Sequence, residues 1–530
     1  MASPPPRRLA ALAVHVTAAP TLAAPSPLPN NRPGDSDVKP VKDSYFVSGH
    51  FEPRADEISE TLSLGACCLD GRVPVGLRGT FLRIGPNPRF DFRGKPYHVF
   101  DGDGMIHKVD FAGDGEGATY QNRWVRTMAF EKEAKNGFSF SIMGEAAEVA
   151  RTGNLAWLPH ARSTDDIGRA NTALVWHEPR GKLLALFEQD KPYEVDIGTL
   201  ETTRRVDEFP FPTFTAHPKV CSVTGDMVYF GYINGPKEGP WLHYGVVDAR
   251  GKLVRSFPVT IPAPVMMHDI AVTTNYSLFY DYNNKYNNPK KVMKGEAKAM
   301  YEQDVSLPAR FGVLPRMATS EHDIQWIECK LPSVVFHFAN AWEEADGEHI
   351  RVYGCAMDSV DLDDLAGTES RPSGGRMHLW RLNIKTGVCE EDRDFAQVAT
   401  MSCDFPQVAM DRVGQKCRYA YAAHFIAGFT VDGVIKFDLE NETWTRHRYD
   451  SGKHDSGAPD GGVYGGESMF ARRGDSGEDD GWLLSFTYGD ARCASSLDIV
   501  DARTMERVSR VAMPTRVPAG FHALWKPASV

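Results

Sequence analysis

Long hydrophobic runs are missing from this 530-residue chain. Its apolar stretches are soon broken by charge or glycine, whereas a bilayer-spanning helix needs roughly 20 apolar residues. An integral helical membrane protein is therefore excluded. A surplus of basic charge is missing too: 59 Lys and Arg face 70 Asp and Glu, for a net charge of −11. That disfavours a basic surface for nucleic acid, and no nucleic-acid partner is expected. Cysteine is scarce and unpatterned. The nine include the adjacent Cys67 and Cys68, and none forms a C-x-x-C. A secreted disulfide scaffold is denser and even-numbered, so the thiols read as small buried apolar groups in a reducing compartment. No nucleophile triad motif is visible. Amphipathic helices are rare, and 290–303 is among the few helical-looking stretches. What remains is ordinary: 42% hydrophobic and 24% charged residues, which excludes a wholly disordered chain, a collagen and a coiled coil.

Acidic residues are absent from 1–34, where Ala, Pro, Arg7, Arg8 and Arg32 stand out. Organellar transit peptides are basic and acid-poor. The expected localisation is the plastid, with a plain disordered tail and a cytoplasmic protein as the alternative. Residues 1–40 are set apart from one domain over 41–530.

The domain repeats one unit. Tyr193–Val206, Tyr244–Phe257, Leu379–Val388, Val434–Trp444 and Leu497–Glu506 each read as an alternating strand, an Asp or Asn, a tight turn and a second strand. Asp and Asn suit that position because their side chains bond the turning backbone. Further strands such as Met227–Tyr232 and Trp482–Tyr488 precede the hairpins. Four short strands per unit, repeating at tens of residues, predict an all-β propeller of roughly six to eight blades. Two β-sandwiches are the rival architecture.

Four of the 17 histidines are flanked by apolar or small residues at strand-like sites: His217, His268, His337 and His522. A buried neutral imidazole needs a partner. Four of them on different blades meet only at the propeller axis, which points to a metal. The set has neither thiolate nor carboxylate, and imidazole suits Zn, Cu, Fe and Ni. Four imidazoles with open positions fit an iron that also binds a gas.

These residues resemble, in order, the carotenoid cleavage dioxygenase family. The motifs are Gly79-Thr-Phe-Leu-Arg-Ile-Gly-Pro-Asn-Pro88, Phe100-Asp-Gly-Asp-Gly-Met-Ile-His107, Phe214-Thr-Ala-His-Pro-Lys219, Met266-Met-His-Asp269, His337-Phe-Ala-Asn-Ala-Trp-Glu-Glu344, Glu478-Asp-Asp-Gly481 and Arg516-Val-Pro-Ala-Gly-Phe-His522. Arg310–Arg316 and Asn171–His177 resemble the plant-type branch that cleaves at the 9,10 bonds. The resemblance implies a seven-bladed β-propeller with a loop and helix dome over an axial Fe2+ held by His217, His268, His337 and His522. It implies Glu188, Asp404 and Glu467 as carboxylates accepting from the iron-ligating imidazoles. Many members have Glu at the position of Asp404, and with one methylene fewer a water can bridge that contact.

The implied reaction is oxidative cleavage of a conjugated double bond in a carotenoid or apocarotenoid, with O2 as co-substrate and two carbonyl products. Phe100, Phe187, Phe338 and Trp342, in or beside the motifs, are the candidate walls of the polyene pocket. Ordinary core packing is the other reading of each. A substrate residing in membranes or lipid droplets implies a peripheral apolar contact patch. Three rivals share the scaffold: a stilbenoid-cleaving dioxygenase, a retinoid isomerase, and a non-catalytic propeller binding an apolar ligand. Stilbenoid-cleaving relatives commonly carry Lys where this chain has Phe187, so the polyene is favoured.

Overall fold

In each of the five hairpins an Asp or Asn side chain closes the turn. Asp196 Oδ1 accepts from Thr199 N at 2.8 Å, Asp248 Oδ1 from Lys252 N at 2.8 Å, and Asn383 Oδ1 from Thr386 N at 2.9 Å. Asp438 Oδ1 accepts from Asn441 N at 3.1 Å, and Asp501 Oδ1 from Thr504 N at 3.0 Å. These are Asx turns, and each joins two neighbouring antiparallel strands on the outer side of a sheet.

The computed structural model describes residues 26–31, 40–65, 68–153, 168–234, 239–287, 291, 294, 296–360, 362, 373–396, 398, 401–449, 462–490 and 494–528. Seven sheets form the blades of a propeller. Named by their innermost and outermost strands, blade I runs from Ala173–His177 to Thr202–Arg205 and blade II from Lys219–Val220 to Leu253–Val259. Blade III runs from Ala271–Val272 to Gln325–Glu328, blade IV from Val334–Glu343 to Val388–Asp394, and blade V from Cys403–Gln407 to Thr443–Arg448. The inner edge of blade VI is split into Val463–Tyr464 and Met469–Arg472, both paired with Gly481–Gly489. Blade VII closes the ring: its inner strand Ala523–Pro527 pairs with Arg78–Pro86 from the other end of the chain, Gly79 opposite Pro527 and Arg83 opposite Ala523. Cys68–Gly71 adds the outer edge of blade VI.

Alternation survives only on outer strands. Leu253–Val259 largely alternates between exposed and covered positions, whereas all six residues of Met227–Tyr232 and of Leu242–Val247 are buried. The inner strands are sandwiched between neighbouring blades, so both faces are apolar. The cores accordingly lie between blades: Tyr280 and Phe311 of blade III pack with Trp380 and Leu382 of blade IV, and Leu184 of blade I packs with Met227 of blade II.

The helices correct one expectation. Tyr301–Gln303 is a strand paired with Asn284–Tyr286, so a helix over 290–303 does not hold at its end; residues 288–290, 292, 293 and 295 lie outside the described residues. Among the described residues, two α-helices lie between blades VII and I, α1 (Met128–Asn136) and α2 (Ile142–Thr152). Thr127 Oγ1 caps α1 by accepting from Phe130 N at 3.1 Å, and Gly137 ends it at φ 76°, a conformation that glycine adopts without a Cβ penalty. Asp101 Oδ2 accepts from Met143 N and Gly144 N in the first turn of α2, at 2.8 and 3.1 Å. Buried Arg169 pairs with Glu133 of α1 and with Asp103. These contacts fix the segment carrying Phe100. Among the described residues no helix is long and apolar enough to cross a membrane.

The segment before residue 40 is described only in part. Residues 1–25 and 32–39 lie outside the described residues, but 26–31 dock on the domain. Leu28 N donates to Arg89 O at 3.0 Å, and buried Asn30 exchanges hydrogen bonds with the backbone of Ser139.

Candidate metal centre

The inner strands begin at the axis, and the histidines sit at those beginnings. His217 lies two residues before the inner strand of blade II, His268 three before that of blade III, and His522 immediately before that of blade VII; His337 lies within the inner strand of blade IV. All four are buried. Their rings pack together, with centroids 4.6 Å apart for His217 and His268, 4.6 Å for His217 and His522, 4.9 Å for His268 and His337, and 4.7 Å for His337 and His522. Ligand nitrogens of His217, His268 and His337 lie within 4.8 Å of one another. Nε2 of His268 and Nε2 of His337 face each other at 3.2 Å.

The remaining three blades supply carboxylates. Glu188 follows the second strand of blade I, and its Oε1 pairs with His268 Nδ1. Asp404 of blade V meets His337 Nδ1 at 2.8 Å. Glu467 lies in the gap of the blade VI inner edge and meets His522 Nδ1 at 3.1 Å. Each blade thus sends one residue to the axis. An imidazole that gives its Nδ1 proton to a carboxylate turns a bare, more basic Nε2 toward a metal.

The Asp404 contact is direct and needs no bridging water. A register shift between Asp404 and Gln407 and a positive φ of 54° at Phe405 bend the strand there, and Phe405 N donates to Asp404 Oδ1 at 2.7 Å. A β-bulge re-aims a side chain in this way.

Electrostatics favour neutral imidazoles at His217 and His337. Burial, reinforced by the neighbouring imidazoles, pushes His217 and His337 well below the usual histidine range. Burial pulls His268 down as well, but the Glu188 carboxylate outweighs it and holds this imidazole above its ordinary value. Burial pushes Asp404 up to about 7, against the Phe405 N–H. His217 Nε2 is buried with no hydrogen-bond partner among the described residues. A buried orphan nitrogen is costly, and a divalent cation among these imidazoles removes that cost. The donor set fits a borderline metal.

Two cavities meet at the cluster. Above it, at the N-terminal ends of the inner strands, is a small cavity of about 50 Å3 walled by Phe100, Phe336, Phe405, Phe425, Phe429 and Phe521, with His268, His337 and His522 at its floor. Below it, a channel of about 550 Å3 runs along the axis, lined by all seven blades and by His217 and His522.

The family model described as retinal pigment epithelial membrane protein (RPE65) matches residues 51–527. The chain belongs to the RPE65/carotenoid oxygenase family. It is 38% identical to carotenoid 9,10(9',10')-cleavage dioxygenase 1 of Arabidopsis thaliana over 91% of this chain and 89% of the relative. Among solved structures, cobalt-substituted apocarotenoid oxygenase of Synechocystis superposes with a TM-score of 0.72 at 24% identity, covering 90% of this chain and 97% of that one. Lignostilbene dioxygenase of Pseudomonas brassicacearum gives 0.75 at 21% identity, covering 92% and 100%. At those identities the two structures speak for the fold.

Within this carotenoid oxygenase the expected pocket residues separate. Phe100 lines the aromatic cavity. Phe338 packs with Tyr280, Phe311 and Trp380 between blades III and IV and also lines the axial channel. Trp342 stacks on Tyr353 in the core between blades IV and V. Phe187 is half-buried and outside the cavity lining, so the substrate preference drawn from that position loses its footing. Met266, Phe336, Phe405, Phe425, Phe429 and Phe521 line the cavity without having been singled out. Three of these six adjoin His337, Asp404 and His522 in the chain, and that adjacency was the available signal.

Proposed function

We propose that this chain is a non-haem Fe2+ dioxygenase that cleaves a conjugated double bond of a carotenoid or apocarotenoid into two carbonyl products, with O2 as co-substrate. The observation that carries this reading is the aromatic cavity whose floor is three of the four clustered imidazoles. Iron held by His217, His268, His337 and His522 would supply the binding and activation of dioxygen. The chain itself holds and excludes. Glu188, Asp404 and Glu467 keep the Nδ1 protons of His268, His337 and His522 and so keep each Nε2 free. The phenylalanine walls exclude water and offer aromatic faces to a polyene, aiming one double bond at the floor. The only hydroxyl side chains among the lining residues are Thr172 and Ser373, and Thr172 already donates to Asn171 Oδ1 at 3.0 Å. Such a wall gives a phenol little to bond.

The relative named a carotenoid 9,10(9',10')-cleavage dioxygenase supports the 9,10 bond as the position of attack. Some relatives carry "chloroplastic" in their names, and the acid-poor start of the chain supports a plastid address. A removable leader ends before Leu28, because Leu28 and Asn30 are built into the domain. Turnover of an apocarotenal and of resveratrol at matched concentration tests the substrate class. Faster resveratrol cleavage would overturn the polyene reading and leave the metal reading standing.

A further inference from the structure

Lys219 and Asp269 belong to the histidine motifs, yet neither faces the cavity. They meet each other. Lys219 Nζ lies 2.9 Å from Asp269 Oδ1 and 3.0 Å from Oδ2. The same carboxylate accepts from Phe338 N at 2.9 Å and from Ile270 N at 2.7 Å. The Asp269 side chain has no exposure, while 22% of the Lys219 side chain is exposed, lining the axial channel.

The chain positions give this contact its meaning. Lys219 is two residues after His217, Asp269 one after His268, and Phe338 one after His337. One buried carboxylate therefore links the Lys219 side chain to the backbones beside His268 and His337, tying together three segments that carry imidazoles from blades II, III and IV. Ladder hydrogen bonds run within blades. Apolar packing between blades tolerates small slides, whereas charge-assisted hydrogen bonds fix distance and direction. We propose that Asp269, clamped by Lys219, is a positioning residue that holds His217, His268 and His337 at metal-binding separation. The proposal rests on the metal-site reading above.

An ion pair kept only for stability is the contrasting case. Replacing a buried ion pair by neutral groups is often neutral for stability, so stability and metal affinity separate the two. Co2+ is the probe, titrated into the full-length chain against a chelating dye, with the visible spectrum of the Co2+-loaded protein and the metal-free melt recorded together. Lys219→Met and Asp269→Asn are expected to weaken Co2+ binding by about 10-fold or more, on the scale of other outer-shell changes, and to alter the spectrum. Lys219→Arg is expected to stay near the parent in both. The Lys219→Met/Asp269→Asn double variant turns an amide NH2 toward the N–H of Ile270 or Phe338, so it is expected to melt below the parent and to bind weakly. Should Asp269→Asn fail to fold, the two Lys219 variants decide alone. Parental Co2+ affinity and spectrum in Lys219→Met, whatever its melting temperature, overturn the proposal. Failure of the parent to bind Co2+ overturns the metal-site reading instead.

Discussion

Glu467→Gln tests how the carboxylates work, because every group around Glu467 is a donor. Its Oε1 accepts from His522 Nδ1 at 3.1 Å and from Gln407 Nε2 at 2.6 Å, and its Oε2 accepts from Ala523 N. A glutamine keeps the shape and replaces one acceptor with an NH2. If that NH2 faces Ala523 N–H, a fixed backbone donor is left unpaired in a site with no exposure, at about 1–3 kcal/mol. If it faces His522, the ring satisfies it by moving its proton to Nε2, which occupies the lone pair a metal needs. The metal-free protein takes the second arrangement at little cost once the Gln407 amide turns its oxygen to the new NH2, and metal binding must reverse the His522 tautomer. The penalty therefore falls on the metal-bound state. A loss of about 10- to 100-fold in affinity corresponds to about 1.4–2.7 kcal/mol, within the range of one unpaired buried donor. The assay is Fe2+ or Co2+ competition against a chelating dye, with calorimetry of the metal-free protein alongside. The expected result is a nearly unchanged metal-free melt and the stated loss of affinity. Affinity within twofold of the parent would refute the tautomer argument.

Glu188→Gln is expected to cost less than Glu467→Gln in the same competition assay, because Glu188 meets the hydroxyl of Tyr232, which can turn from donor to acceptor; adding Tyr232→Phe should remove that rescue. Phe429→Ala, at a partly buried wall position, should raise the polyene KM several-fold in steady-state assays with a smaller change in melting. Phe338→Ala should do the reverse, losing about 3–5 kcal/mol of stability in denaturant melts with the KM unchanged. Deleting 523–530 removes the inner strand that closes blade VII, and limited proteolysis should find no folded ring.

The blades were legible because their turns are local chemistry: five Asp or Asn side chains bonding the backbone two to four residues on can be read without tertiary information. The histidines were legible because a polar ring among Val, Met, Phe and Ala needs an explanation. The aromatic cavity was not legible. Inner strands are buried on both faces, so composition does not separate a phenylalanine facing the axis from one facing the next blade. Strand parity helps in part: Phe338 and Trp342 differ from His337 by odd numbers and point away from it. Parity fails at Phe336, where the pairing of Val334–Glu343 shifts register between Val335 and Phe338. α1 and α2 escaped notice although Thr127, Gly137 and Gly153 mark three of their ends; short helices stabilised by Asp101 and Arg169 from distant segments leave a weak periodic signal. The direct Asp404 contact depends on the bend at Phe405, a backbone conformation that side-chain length does not reveal.

The most direct test of the account is the mass of the products formed from one carotenoid by Fe2+-loaded protein under dioxygen, beside the His217→Ala variant. The account predicts two carbonyl fragments whose masses sum to the substrate plus O2, absent with the variant and absent without dioxygen. Recovery of intact or merely isomerised polyene from the metal-loaded parent, or equal cleavage by His217→Ala, would contradict it.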